Sequence, residues 1–264
     1  MYFIAMVAQL ELQNAKLALS AANGVHAHAA FLNAVSTHNP ELGAYLHNMQ
    51  RNKCFTIALL LQSRTRALLR FTFMDKDAST YVNALVTSGV LHSDVRLGDQ
   101  VCTITDLSLA HSGYTGIATW ADICKPTCHR HITMAFSTPT AINKQTGEGK
   151  RFASLYPEAE DIFLGLIRRW RGLLGPALPV SLEQCLVDHG CVVAGHELRT
   201  VQFKTRERTQ IGFTGRVTYE CMTGDEECIT ALNWLTRLAF YTGIGYQTAR
   251  GMGAVQVWLQ HEVK

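Results

Sequence analysis

The sequence predicts an α+β protein made of two tandem ferredoxin-like (RRM-like) domains, each with the element order βαββαβ. Three observations lead there. The apolar pattern of the first half runs strand, helix, strand, strand, helix, strand. The second half repeats that order over a similar length. Between them, at residues 111–128, His111-Ser-Gly-Tyr114 and Lys125-Pro126 interrupt the periodicity. The domains are therefore expected at 1–120 and 121–264. No residue-level repeat links the halves, so the duplication rests on element order alone.

In the first half, Tyr2–Leu12 is apolar from its second residue and reads as a strand. Residues 26–51 carry helical spacing, interrupted at Asn39-Pro40, where proline suits the first position of a new helix. Strands are expected at 54–62 and 67–74, a helix at 77–88 and a strand at 95–108. In the second half the expected elements are a strand at 130–137, a helix at 157–174 ended by Gly175-Pro176, and strands at 192–203 and 211–221. A helix at 226–242 and a strand at 254–260 complete the set.

Composition bounds the function. With 264 residues, 47% hydrophobic and 17% charged, the chain is globular. Its opening residues lack a basic leader and their apolar run is too short to cross a bilayer, so a cytoplasmic protein with no membrane partner is expected. The eight cysteines lie mostly inside apolar segments, as small buried hydrophobes do, rather than forming a disulfide framework. Net charge is +3. Residues 1–123 carry eight Lys/Arg against eight Asp/Glu, and residues 124–264 carry sixteen against thirteen. Within the second half, Arg199, Lys204, Arg206, Arg208 and Arg216 face only Glu207. That local surplus permits contact with phosphates without requiring it.

The most distinctive segment is Gly243-Ile-Gly245-Tyr246-Gln247-Thr-Ala-Arg250-Gly251-Met-Gly253. It follows a helix and precedes a strand, the reverse of a dinucleotide-binding fingerprint, and no G-K-[ST] ending marks a P-loop. Glycine lets backbones approach closely, so the loop is expected to press against a chain-like ligand or a neighbouring element.

His47 stands at a helix end beside Arg51 and Lys53. An imidazole so placed changes protonation near neutral pH. RNA carries its own nucleophile, the 2′-hydroxyl. An RNA-cleaving site therefore needs an acid or base plus positive charge, and can dispense with a metal. His47 fits that role, and it equally fits a capping or surface histidine. His26 and His28, two apart, point to different faces of a helix and so do not share a metal. Cys124-Lys-Pro-Thr-Cys128-His129-Arg-His131 departs from the usual zinc spacings and reads as a joining loop. No paired acidic cluster suggests two-metal chemistry, and no cofactor is expected. Arg168-Arg169-Trp170-Arg171 reads as a solvated helix face. Lys204, Arg206 and Arg208 fall between two strands, where a basic hairpin suits an RNA groove or simply the solvent.

Ala231–Gly253, the strand pair Arg199-Thr-Val-Gln-Phe-Lys204 and Ile211–Val217, Phe136-Ser-Thr-Pro-Thr140, His28-Ala-Ala-Phe-Leu32 and Pro40–His47 together resemble the CRISPR repeat-processing endoribonucleases, the Cas6 family of the RAMP superfamily. The resemblance spans nearly the whole chain. It implies tandem ferredoxin-like domains and metal-independent cleavage within a CRISPR repeat, by 2′-hydroxyl attack, to a 2′,3′-cyclic phosphate and a 5′-hydroxyl. It implies His47 as the catalytic histidine and Lys53 as a catalytic partner. Members with a catalytic tyrosine carry it on the first helix, where this chain has Phe31-Leu32, so the second partner is Lys53, His28 or His26. Lys144, Lys150 and Arg151 follow the Phe136–Thr140 element where basic residues contact RNA, and the glycine loop adds Gly243, Gly245, Tyr246, Gln247, Arg250, Gly251 and Gly253. CRISPR repeat RNA is the implied partner; effector-complex subunits and a second copy of the chain remain open. The alternative within the same class is a non-catalytic RNA-binding subunit of a CRISPR effector complex.

Overall fold

The computed structural model describes residues 1–14, 16, 18–20, 23–49, 53–75, 94–111, 113–204 and 209–260. The chain packs into two compact units. One comprises Met1–Ala118, Phe203–Thr209 and Gln247–Met252; the other comprises Thr119–Gln202, Gln210–Tyr246 and Gly253–Lys264.

The first unit is built on an antiparallel sheet. Its strands are β1 (Tyr2–Leu12), β2 (Phe55–Leu61), β3 (Arg66–Asp75), β4 (Asp94–Leu97) and β5 (Gln100–Ser108), in the order β2-β3-β1-β5-β4. A short strand β6 (Gly116–Thr119) pairs with β1. β1 lies between β3 and β5, with Met6 opposite Phe71 and Leu10 opposite both Ala67 and Ile104. This central place explains its continuous apolar sequence. The expected strand over 95–108 is in fact the β4–β5 hairpin, turned at Gly98 with φ +70°. The helix expected over 77–88 lies outside the described residues.

Two helices pack on this sheet. In α1 (Asn23–His38), Ala27, Phe31 and Val35 recur at helical spacing and enter a core with Phe55, Phe71 and Phe73. In α2 (Pro40–Asn48), the Asn39 side chain accepts a hydrogen bond from the Leu42 amide at 3.0 Å and Pro40 opens the first turn. Phe31 lies 5.3–6.0 Å from the rings of Phe55, Phe71 and Phe73. The floor beneath α1 is thus aromatic. Burying rings of this size is the largest single contribution to such a core.

The second unit carries β7 (His131–Thr140), β10 (Cys191–Lys204), β11 (Thr209–Cys221) and β12 (Val255–Gln260) in the order β10-β11-β7-β12. Both sheets therefore show the antiparallel order of the ferredoxin-like fold. Their partners in the second unit are α3 (Trp120–Ile123), α4 (Ala159–Gly172), α5 (Leu182–Val187) and α6 (Glu226–Thr242). Asp225 caps α6 by accepting from the amides of Glu227 and Cys228 at 2.9 and 3.1 Å. A separate hairpin, β8 (Ile142–Gln145) with β9 (Arg151–Ser154), and the short α5 were not expected from the sequence. Each has too few residues to establish a period.

Arg168-Arg169-Trp170-Arg171 does not form a uniformly solvated face. Arg168 and Arg171 are exposed, but Trp170 is buried, and Arg169 donates to the carbonyls of Thr242 and Gly245 at 2.6 and 2.9 Å. Desolvation lowers the Arg169 pKa to about 10. This guanidinium satisfies carbonyls that the end of α6 leaves without helical partners. Among the described residues no helix is long and apolar enough to cross a membrane.

Candidate functional site

The first unit gathers four side chains that the sequence singled out: His28, His47, Lys53 and Arg250. His47 occupies the last turn of α2 and is exposed. Six residues on, Lys53 precedes β2. Its Nζ donates to the Leu46 carbonyl at 3.3 Å and lies 5.3 Å from the centre of the Phe55 ring. Leu46 is one of the last carbonyls of α2, which have no helical donor. The lysine therefore closes the helix end, on the carbonyl of the residue next to His47.

His28 lies on α1. Its ring stacks on Phe55, with centroids 5.9 Å apart and planes 11° from parallel. Phe55 is buried and packed against Phe31, so it is a firm platform for both His28 and the lysine. Burial is the main reason that the His28 pKa falls from 6.5 to about 4; the charges of Lys53, Arg250 and, last, His47 lower it further. The main chain of Ala249 acts in the opposite direction. At neutral pH this ring is uncharged, and its Nδ1 is buried with no hydrogen-bond partner among the described residues. Desolvation first, and then Arg250, also lowers the Lys53 pKa below that of an ordinary lysine.

Arg250 arrives from the glycine-rich segment. Thr248–Arg250 forms a single 3-10 turn, framed by Gln247 and Gly251, both left-handed at φ 55° and 96°. The Gly251 amide donates to the Ile57 carbonyl at 3.0 Å, which ties the turn to β2. Ala249 is buried in the aromatic core of this unit. The expected close approach is to a neighbouring element: a Cβ on Gly24 of α1 would lie 2.9 Å from Gly251 Cα. The sequence assigned the whole loop to the C-terminal domain, whereas Gln247–Met252 packs with the first unit.

The rest of the loop belongs to the second unit. Gly243, at φ 63°, ends α6. Gly245, at φ 81°, is pressed so closely on Ala141 that a Cβ would lie 2.5 Å from its carbonyl oxygen. The Tyr246 amide donates to that same carbonyl at 2.9 Å, and Gly253 donates to Pro139 at 3.1 Å. These glycines serve the junction with the Phe136–Thr140 element.

The remaining candidates are not all alike. His26, on the other face of α1, packs over the β4–β5 turn, where a Cβ on Gly98 would meet its Nε2 at 2.9 Å. The structure does not bring it together with His28. In the β8–β9 hairpin, Lys144 is paired with Asp161 at 2.6 Å and Lys150 with Glu148 at 3.0 Å. Arg151 is exposed. Arg51, Arg206 and Arg208 lie outside the described residues, and Lys204 ends β10. Cys124 and Cys128 are free thiols, and among the described residues no group of His, Cys, Asp or Glu is arranged to hold a metal. Gly24, Phe55 and Ala249 were missed by sequence reasoning. Only Gly24, a glycine at a helix start, carried any local signal.

The family model for the CRISPR-associated endoribonuclease Cas6 matches residues 134–255, and that for the CRISPR Cas6 N-terminal domain matches residues 5–85. Among solved structures, a Cas6 product complex superposes with a TM-score of 0.83 at 24% identity, covering 97% of this chain and 100% of the other. A second Cas6 product complex gives 0.77 at 22% identity, with 98% and 100% covered. Cas6 of Thermus thermophilus gives 0.75 at 24% identity, with 97% and 98% covered. No protein of curated function matches the sequence closely.

Proposed function

Because the chain belongs to the Cas6 family of CRISPR-associated endoribonucleases, we propose that it cleaves CRISPR precursor RNA within the repeat without a metal. The 2′-hydroxyl attacks the adjacent phosphorus and the P–O5′ bond breaks, leaving a 2′,3′-cyclic phosphate and a 5′-hydroxyl. His47 moves the proton, taken from the 2′-hydroxyl or given to the departing 5′-oxygen. Lys53, with Arg250 beside it, offsets the charge that builds on the non-bridging oxygens. His28, neutral at the working pH, adds no charge to the site and lines it beside Arg250 and Lys53.

The observation that supports this reading best is the fixed neighbourhood of an exposed imidazole and an anchored ammonium at one helix end, with Lys53 held at 3.3 Å from the Leu46 carbonyl. An RNA that brings its own nucleophile asks for little more than those two groups. Arg250 and the Gln247–Gly251 main chain meet the repeat close to the cut. In the β8–β9 hairpin, carboxylates already engage Lys144 and Lys150, so Arg151 is the cation there expected to reach phosphate. Lys204, Arg206 and Arg208 extend the contact along the backbone of the repeat.

The test uses end-labelled repeat RNA in the presence of a chelator, with product ends read by mass. Wild-type protein should cut once per repeat and leave the two stated termini. His47→Ala should lose roughly 10²–10⁴-fold in rate while keeping its RNA affinity. Cleavage that demands added metal would defeat the mechanism; tight binding with no cut would favour a non-catalytic subunit.

A further inference from the structure

We propose that Gly24 is a positioning residue: its missing side chain lets the 248–251 turn seat on α1 and hold Arg250 beside His28 and Lys53. The proposal rests on the cleavage site described above. A Cβ on Gly24 would lie 2.9 Å from Gly251 Cα and 3.5 Å from the Arg250 carbonyl oxygen. A Cβ on Gly251 would lie 2.6 Å from Gly24 Cα. Both obstacles are backbone, so no side chain can swing aside. Ordinary carbon contacts fall at about 3.5–4.0 Å, so an added methyl must part the two backbones by a large fraction of an ångström.

Conformation explains only one of the two glycines. Gly251 adopts φ +96°, where side chains are strained. Gly24 lies inside α1, where alanine would be the better helix former. Its presence is therefore a matter of packing. The turn is also held on its far side by the bond from the Gly251 amide to Ile57. The turn is thus held between α1 on one side and β2 on the other. His28 is four residues beyond Gly24, on the same helix face, and it faces the main chain of Ala249 and the charges of Arg250, Lys53 and His47. Lifting the turn moves the first two of these groups together.

The test is Gly24→Ala, with three readouts: single-turnover cleavage, RNA affinity, and the titration of the His28 ring by NMR. A shift of this size in a reacting site costs roughly 10²-fold at most. We expect a tenfold to hundredfold loss of rate, with a much smaller loss of affinity because the turn is one of several contacts with the repeat. The His28 midpoint should rise from about 4 toward 6.5. Arg250→Gln, an exposed change that leaves packing intact, should reproduce the rate loss. The double variant should be no slower than the worse single one, because both act through one group. Gly224→Ala, where a Cβ meets nothing within 4 Å, should match wild type. Wild-type cleavage by Gly24→Ala, or losses that multiply in the double variant, would overturn the proposal. Should Gly24→Ala not fold, an unchanged His28 midpoint in Arg250→Gln would overturn it equally. A wild-type protein that cuts no repeat RNA would instead remove the proposed function, and the His28 titrations would still decide the positioning claim.

Discussion

Replacing His28 by phenylalanine should flatten the dependence of stability on acid, and the size of the change follows from the site. In the folded protein the ring takes a proton only near pH 4, against 6.5 in an unfolded chain. As pH falls below 6.5 the unfolded state therefore gains protons first, and the folded state loses ground. The loss begins near 6.5 and is complete below about 4; above 6.5 it is absent. At about 1.4 kcal/mol per tenfold change in proton affinity, the drop from 6.5 to about 4 sets a ceiling of about 3.5 kcal/mol. The ring is only partly buried, so solvent screening should leave about half of that. A phenylalanine ring at this position would keep the stack on Phe55 and cannot protonate. Urea denaturation of both proteins at pH 7.5, 6, 5 and 4.5 reads the effect, since titrating groups remote from the ring cancel in the difference. The His28→Phe protein should be the more acid-resistant by about 1–2 kcal/mol at the lowest pH. Parallel curves would mean that the imidazole is solvated in the folded state, and its assignment as a neutral member of the site would fall.

Three further outcomes follow from named contacts. Lys53→Met should lower cleavage at least tenfold while costing about 1–2 kcal/mol of stability, because the hydrogen bond to the Leu46 carbonyl and the ammonium's place over the Phe55 ring are lost; rate and urea midpoint measured together check it. Phe55→Ala removes a buried ring that touches His28, Phe31 and Lys53, and should cost about 3–5 kcal/mol in denaturation along with activity. Gly245→Ala would place a methyl 2.5 Å from the Ala141 carbonyl oxygen at φ 81°. It should destabilise by about 1–3 kcal/mol, read as a lowered Tm.

Long periodic segments were readable in the amino-acid pattern, and short or non-local features were not. β1, α2 and α6 appear where apolar spacing, Asn39-Pro40 and Gly243 put them, because period, cap and terminator are local properties. The β8–β9 strands of four residues carry no such signal. The argument that residues two apart face different ways separated His26 from His28. It could not say which one reaches the lysine, since that depends on Phe55 and on the β4–β5 turn. The glycine spacing announced a close approach without naming its partner. Gly24 lies more than two hundred positions away in the chain and becomes a neighbour of Gly251 only through the fold. Arg169 was misjudged for the same reason: its partners are carbonyls of a distant helix end, and the surrounding charges suggested solvent.

The turn at Gln247–Met252 completes a unit whose other main part is Met1–Ala118. On the ribosome, where synthesis proceeds at about 5–20 residues per second, the earlier portion must wait several seconds for its last piece. During that wait His28, His47 and Lys53 have all emerged, yet Arg250 has not. A chain stalled before Gln247 would therefore leave Gly24 and the Ile57 carbonyl without the segment that packs on them.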